Sequence, residues 1–350
     1  MHLAAMECAL EDARAELEES DLEFRLSLSD TQSDPYAASV LMNTHLLRNM
    51  RITVGPYTSA EVAAVEPRTV ESQSLLISPS STSLYLANRN DHIYRMAPND
   101  SYMVEELVDL VSTRGHQRLV LVYRDDVWGH SVAGELEREF TAAGGTIVSA
   151  HAYDPHHTEE IPAILRQIHE DINTATGAGT TSDLAIQLSS FGEGPIFFEA
   201  AIDSVPELRD ISWYGSGGFV GDWSFFSNPQ IAQFAVDVGY TAPLYRVQVP
   251  DAFWHVVDRI EHRTGVTPGT HSLLTYDATR IAAFTLAHVG MHASYGELEN
   301  ALRDVMADYV GVSGCVHMDA MGDRYDGDYD FYAVHSDGWR FWWERVQGVQ

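Results

Sequence analysis

The chain has no lysine, only two cysteines and no apolar run of about 18 residues, and each lack removes a class of function. A P-loop needs a lysine on its phosphates, and a Schiff-base enzyme or a pyridoxal-phosphate enzyme needs a lysine amine, so those chemistries are excluded. Two cysteines cannot make a four-thiolate zinc site. Cys8 and Cys315 read as buried free thiols, with a single disulfide as the other possibility. No segment is long and apolar enough to cross a bilayer as a helix, so no direct membrane span is expected.

Positive charge is also scarce. All 21 basic residues are arginine and stand against 51 acidic ones, a formal net charge of -30. Such a surface suits concentrated salt, where hydrated carboxylates keep a protein soluble and their repulsion is screened over about 3 Å at 1 M. The composition reads as that of an extreme halophile. Regular apolar periodicity excludes intrinsic disorder, and the negative field makes nucleic acid a poor partner.

What is present is enough for two ordinary domains: 350 residues, of which 45% are apolar. Helical spacing is read over 3–18, 36–48, 102–113, 130–143, 159–172, 195–201, 251–263, 276–289 and 295–307. Strands are read at Phe24–Leu28, 51–54, 119–123, 146–150, 184–188, 211–214 and 236–240, and the tail over 331–343 alternates like a hairpin. Alternation of strands and helices predicts an α/β fold with doubly wound, mostly parallel sheets. The apolar run Leu119–Tyr123 suits a strand buried on both faces.

Hydroxyl and small residues crowd the ends of the early apolar runs, at Tyr57-Thr58-Ser59 and at Ser78-Pro79-Ser80-Ser81-Thr82, with Trp128-Gly129 after a later one. Free backbone N–H groups and hydroxyl oxygens at such strand ends can hold a small polar ligand. These pieces lie in order with Asp30-Thr31-Gln32-Ser33-Asp34-Pro35, Val54-Gly55-Pro56, Tyr276-Asp277-Ala278 and Gly311-Val312-Ser313-Gly314. From about Phe24 to the C-terminus the sequence resembles the type I periplasmic solute-binding proteins, specifically the branched-chain amino-acid receptors of ABC transporters.

The resemblance implies a two-lobed binding protein that closes on a small polar ligand, an amino acid or a relative of one, and passes it to an ABC permease. A sensor of the same fold, signalling to a partner protein, is the alternative. It implies lobe I from 1–96 plus 248–328 and lobe II from 97–247 plus 329–350, with crossings near Met96, Val247 and Asp328. It also implies an extracellular or cell-surface location. Met1-His2-Leu3-Ala4 shows no export signal, and Cys8 after Ala5-Met6-Glu7 is not a lipoprotein motif. The family has a further strand, with its ligand loop, before the first helix, at the middle of the first sheet; this chain is expected to start after it.

Carried over by motif, Ser59, Ser80 and Thr82 match ligand-contacting positions of the first lobe, with Tyr57, Thr58 and Ser81 beside them. Trp128 matches the ring that lines the ligand site from the second lobe, Phe191 is the counterpart of a second aromatic, and Gly217 and Tyr276 complete the candidate set. Amino-acid-binding members place an acidic residue for the ligand ammonium where this chain has Gly217-Gly218, so Asp126, Asp222 or Asp277 takes over, or the ligand is an amide, urea or short acid. No cofactor or metal is expected. His156-His157 among Asp154, Glu159 and Glu160 lacks ligand spacing. Asp326-x-Asp328-x-Asp330 lacks the glycine and closing glutamate of a calcium loop. Gly311-Val312-Ser313-Gly314-Cys315 lacks the last glycine of a nucleophile elbow, so the chain is not read as an enzyme. Trp339, Trp342 and Trp343 are expected to cap the second lobe's core.

Overall fold

The computed structural model describes residues 1–18, 25–177, 179–290, 292–325 and 327–346. In chain order the elements begin α1 (His2–Glu16), α2 (Pro35–Leu47), β1 (Ile52–Val54), α3 (Ser59–Ser72), β2 (Leu75–Ser78), β3 (Ile93–Pro98) and α4 (Asp100–Thr113). There follow β4 (Arg118–Arg124), α5 (Val127–Ala142), β5 (Thr146–Tyr153), α6 (Ile161–Thr176), β6 (Leu184–Ser189), α7 (Gly194–Ser204), β7 (Ser212–Gly215), α8 (Pro229–Asp237) and β8 (Thr241–Tyr245). The last elements are α9 (Trp254–Thr264), α10 (Thr270–Val289), α11 (Tyr295–Asp308), β9 (Val310–Gly311), β10 (Gly314–Cys315), β11 (Asp323–Arg324), β12 (Tyr329–Ser336) and β13 (Phe341–Val346).

The chain divides into two compact units, Met1–Asn99 with Arg246–Gly327 and Asp100–Tyr245 with Asp328–Gln350. In the first, β1, β2, β3 and β11 form a parallel sheet in that order. Strands β2 and β3 are buried throughout, as expected of a parallel sheet covered on both faces. In the second, the sheet order is β13-β12-β8-β7-β6-β4-β5, parallel from β5 to β8 and closed on one side by the antiparallel β12–β13 hairpin. Its core centres on Phe197, Phe198, Trp213, Phe234 and Tyr240, all fully buried.

Local chemistry starts the helices that lead out of these sheets. Asp34 caps α2 by accepting the Ala37 N–H at 2.8 Å, with Pro35 in the first turn. Thr58 and Glu61 make a reciprocal capping box at the start of α3, as Ser294 and Glu297 do for α11. Gly144 sits at φ +91° just past α5, a backbone setting that ends the helix readily only with glycine.

Three expectations are corrected. The strand read at 236–240 is the end of α8 and the turn into β8: Asn228 and Pro229 start a helix whose Ile231, Ala232, Phe234 and Ala235 face the core, and the strand begins at Thr241. The strand read at Phe24–Leu28 is absent where it can be seen: Phe24 lies outside the described residues, and 25–28 join no ladder. Among the described residues strand β1 pairs with β2 alone, and its Ile52 and Val54 line a groove of about 220 Å3 together with Leu26 and Leu28. Cys315 is exposed, whereas Cys8 is buried; both thiols are free.

The aromatic tail behaves unevenly. Trp343 packs against the second unit's core and Trp342 is half-buried, but Trp339 is 92% exposed at the hairpin tip and caps nothing. Asp326 lies outside the described residues.

A buried carboxyl tunes the first unit. Asp91 is 5% exposed, and burial pushes its carboxyl up to about 7, against the pull of the Ile93 N–H that it accepts at 3.0 Å. A carboxyl raised in the fold holds its proton more tightly there than in the unfolded chain, so stability falls as pH rises from about 4 to about 7 and is level beyond, a change of about 4 kcal/mol. Asp91→Asn is expected to remove that slope, as read from denaturant melts of both proteins on either side of the window.

Candidate functional site

In an open parallel sheet the loops after the carboxyl ends of the strands are where ligands bind, because helix N-termini and free N–H groups collect there. Within each unit the loops picked out by sequence lie at such ends. Tyr57, Thr58 and Ser59 follow β1, and Ser80, Ser81 and Thr82 follow β2; in the second unit Trp128 follows β4, Phe191 follows β6 and Gly217 follows β7.

In the first unit the two loops are sewn together by hydroxyls. Ser59, at the first turn of α3, is 3% exposed; its Oγ lies 3.0 Å from Ser81 Oγ and accepts the N–H groups of Thr82 and Ser83 at 3.3 Å each. Ser80 Oγ donates to the Tyr57 carbonyl at 2.7 Å, and Ser78 Oγ to the Pro56 carbonyl at 2.8 Å. Ser59 and Ser81 are thus buried braces. Thr82 is half-buried, and its hydroxyl has no hydrogen-bond partner among the described residues, so it is the group left to offer. The Tyr57 hydroxyl meets Thr275 Oγ1 at 3.2 Å and is pushed up to about 12 by burial. The His2 ring lies 4.4 Å from the Tyr57 ring, and burial holds its imidazole down at about 4 and therefore neutral.

Tyr276 stands apart from these loops, fully buried, its hydroxyl 2.6 Å from Asp12 Oδ2 on α1. Neighbouring Asp277 is also fully buried and accepts from Tyr309 Oη and the Val312 and Ser313 N–H groups. The Gly311–Cys315 segment is therefore a tight β9–β10 hairpin wrapped on a carboxylate, and Ser313 Oγ takes a hydrogen bond from Arg324.

The second unit presents rings and charge. Trp128, 6% exposed, stacks on half-buried Phe191 with centroids 4.5 Å apart. The Arg124 guanidinium lies 4.5 Å over the Phe191 ring, is held by Asp126 Oδ2 at 2.8 Å and bonds Glu193 Oε1, which also accepts from Tyr153 Oη at 2.7 Å. Asp126 Oδ1 caps α5 by accepting the N–H groups of Trp128 and Gly129. A Cβ on Gly129 would lie 2.1 Å from the Arg124 carbonyl oxygen, so that tight start requires glycine. Arg124, Tyr153 and Glu193 escaped the sequence reading; the sole signal was that each closes, or shortly follows, an apolar strand.

The glycines at 217 and 218 have a steric cause. A Cβ at Gly217 would sit 2.7 Å from the Pro243 carbonyl oxygen, and one at Gly218 would sit 2.3 Å from the Ser190 carbonyl oxygen and 2.6 Å from the Phe191 ring. No acidic side chain fits there. Asp126 and Asp277 are committed to backbone N–H groups, and Asp222 is exposed. Gly218→Ala is expected to cost about 1–3 kcal/mol by overpacking, read as a lowered melting temperature.

Among the described residues no group of three or more His, Cys, Asp or Glu could hold a metal ion, and no helix is long and apolar enough to cross a membrane. The family described as receptor family ligand binding region matches residues 1–337. An uncharacterized protein of Methanocaldococcus jannaschii is 22% identical over 354 residues, covering 95% of this chain and 82% of that one. An ABC transporter substrate-binding protein from Desulfitobacterium hafniense, solved in complex with Leu, superposes with a TM-score of 0.69 at 20% identity, over 97% of this chain and 95% of that one. A solute-binding protein of an ABC transporter from Rhodopseudomonas palustris, solved with 3,4-dihydroxybenzoic acid, superposes with a TM-score of 0.74 at 15% identity, over 99% and 93%. Similarity at this level carries the fold, the α/β architecture of type I periplasmic binding proteins, and the profile match carries the membership: this chain belongs to the receptor ligand-binding-region family.

Proposed function

We propose that this protein is an extracytoplasmic solute receptor that binds a small polar ligand, an amino acid or a related amide or acid, and delivers it to an ABC permease in a salt-rich setting. The observation that carries the reading is the loop chemistry that each unit holds at its own strand carboxyl ends. In one unit a hydroxyl loop braced by Ser59 leaves Thr82 to donate, and in the other a Trp128–Phe191 stack lies beside Arg124 and Glu193. The proteins similar in fold whose ligands are named hold Leu, isoleucine and an aromatic acid, which supports small carboxylates as the class. The family's description as a receptor also supports the sensing alternative. Reconstitution with a permease separates them: ligand-dependent uptake supports delivery, and its absence with ligand binding intact supports sensing.

A thermal-shift screen of amino acids, amides and short acids in strong salt tests the binding itself. The right ligand at a hundredfold excess over Kd adds about 2.7 kcal/mol of stability. Thr82→Val is expected to weaken that ligand by about 10- to 100-fold, the worth of a hydrogen bond to a charged group. A flat response across the whole panel removes the assignment.

A further inference from the structure

We propose that Glu193 is the residue by which this receptor recognises positive charge, its second carboxylate oxygen taking the ammonium of an amino-acid ligand. This rests on the solute-binding reading above and names the specificity of its second-unit surface.

Three observations within that unit converge. First, the carboxylate is presented with one oxygen spent and one spare. Both hydrogen bonds that hold Glu193, from Arg124 and from Tyr153, fall on Oε1, whereas Oε2 accepts none from the described residues. The side chain is only 12% exposed, so the group is fixed by its partners and has lost most of its hydration, and a cation reaching Oε2 meets an oriented acceptor. Second, the local charge favours a cation. Arg124 is flanked by Asp126 and Glu193, one positive group against two negative, and both Asp126 oxygens are already occupied. An anionic ligand group would meet excess negative charge, whereas an ammonium brings the cluster to neutrality. Third, the surroundings are built for a ligand. Phe191 stacks on Trp128 and carries the Arg124 guanidinium 4.5 Å over its ring, an aromatic wall two residues before Glu193. One residue earlier, the fully buried Ser190 keeps an Oγ with no partner, at the carboxyl end of β6.

Backbone crowding at 217 and 218 bars any acid from that loop, and Glu193 follows β6, the strand next to β7. The carboxylate has been supplied from a different strand end.

The test uses the whole chain in strong salt. Wild type and Glu193→Gln are titrated with the twenty amino acids and, for each that binds, with the acid lacking its amino group. Wild type is expected to bind an amino acid at least about tenfold tighter than its deaminated counterpart, and Glu193→Gln to lose about 10- to 100-fold for the amino acid while holding the deaminated acid as before. The wild-type comparison needs no variant, so it stands even if Glu193→Gln folds poorly. Equal affinity of wild type for the two forms, or full amino-acid affinity in a folded Glu193→Gln, overturns the inference. Binding of acids but of no amino acid overturns it while leaving the receptor reading in place. Binding of nothing in the panel, acids and amides included, overturns both.

Discussion

Asp323→Ala is expected to destabilise the first unit by about 3–5 kcal/mol, because it strands a buried guanidinium. Arg95 and Asp323 have side chains 1% and 2% exposed and form a bidentate pair, the third guanidinium nitrogen donating to the Ser83 carbonyl. Burial pushes the Asp323 carboxyl up, and Arg95 pulls it back toward the charged form. Removing one partner leaves the other charge in the core without compensation, whereas replacing both by apolar residues of similar size avoids that penalty. The double variant Arg95→Met, Asp323→Leu is therefore expected to recover much of the loss, though not all, since the Ser83 carbonyl loses the guanidinium donor and keeps the Leu86 N–H. Equilibrium unfolding in denaturant checks both. The pair bears on function, since the Ser83 N–H is bound to Ser59 Oγ: the ion pair anchors the far end of the Thr82 loop, and weaker ligand binding is expected alongside lower stability.

Asp277→Ala is expected to cost about 4 kcal/mol, the sum of buried donors left unmade. Oδ1 accepts from Tyr309 Oη at 2.9 Å and the Val312 N–H at 3.0 Å, and Oδ2 from the Ser313 N–H at 2.8 Å. Burial raises the carboxyl while these donors lower it. Asp277→Asn keeps the oxygen that serves two donors and turns an N–H₂ toward the third, so its loss should be about half as large. The same unfolding measurement ranks the two variants; equal losses would mean that the Ser313 bond carries little. Gly311 belongs to this unit of structure, since a Cβ there would meet Asp277 Oδ1 at 2.1 Å. Two motifs that suggested a binding family by their order, Tyr276-Asp277-Ala278 and Gly311-Val312-Ser313-Gly314, are thus halves of one internal anion cradle.

Much of the architecture was legible because its signals are local. The apolar strand at β4 and the alternation of strands with helices through the second unit are each written within a few residues. The failures are of tertiary origin. Residues 236–240 alternate like a strand, yet Pro229 and Asn228 start a helix upstream whose apolar face has a core to cover. Residues 25–28 have a strand's composition but join no ladder, and a strand is defined by its partner as much as by its sequence.

The site divides along the same line. Ser59, Ser80, Thr82, Trp128 and Phe191 were named through the resemblance to solute-binding proteins, with Ser81 as a neighbour, and hydroxyls at strand ends agree with it. Which hydroxyls are braces and which is free was not legible there, since that depends on bonds between loops 22 to 24 positions apart. Sequence alone determined the α/β class, the exclusion of lysine chemistry and the loops worth examining, all of which follow from residue type and short-range spacing. Only the tertiary structure decided that Gly217 and Gly218 are glycines by steric necessity, and that Arg124, Tyr153 and Glu193, up to 69 positions apart, form one cluster. Parallel strands gather at their carboxyl ends residues that the chain keeps far from one another.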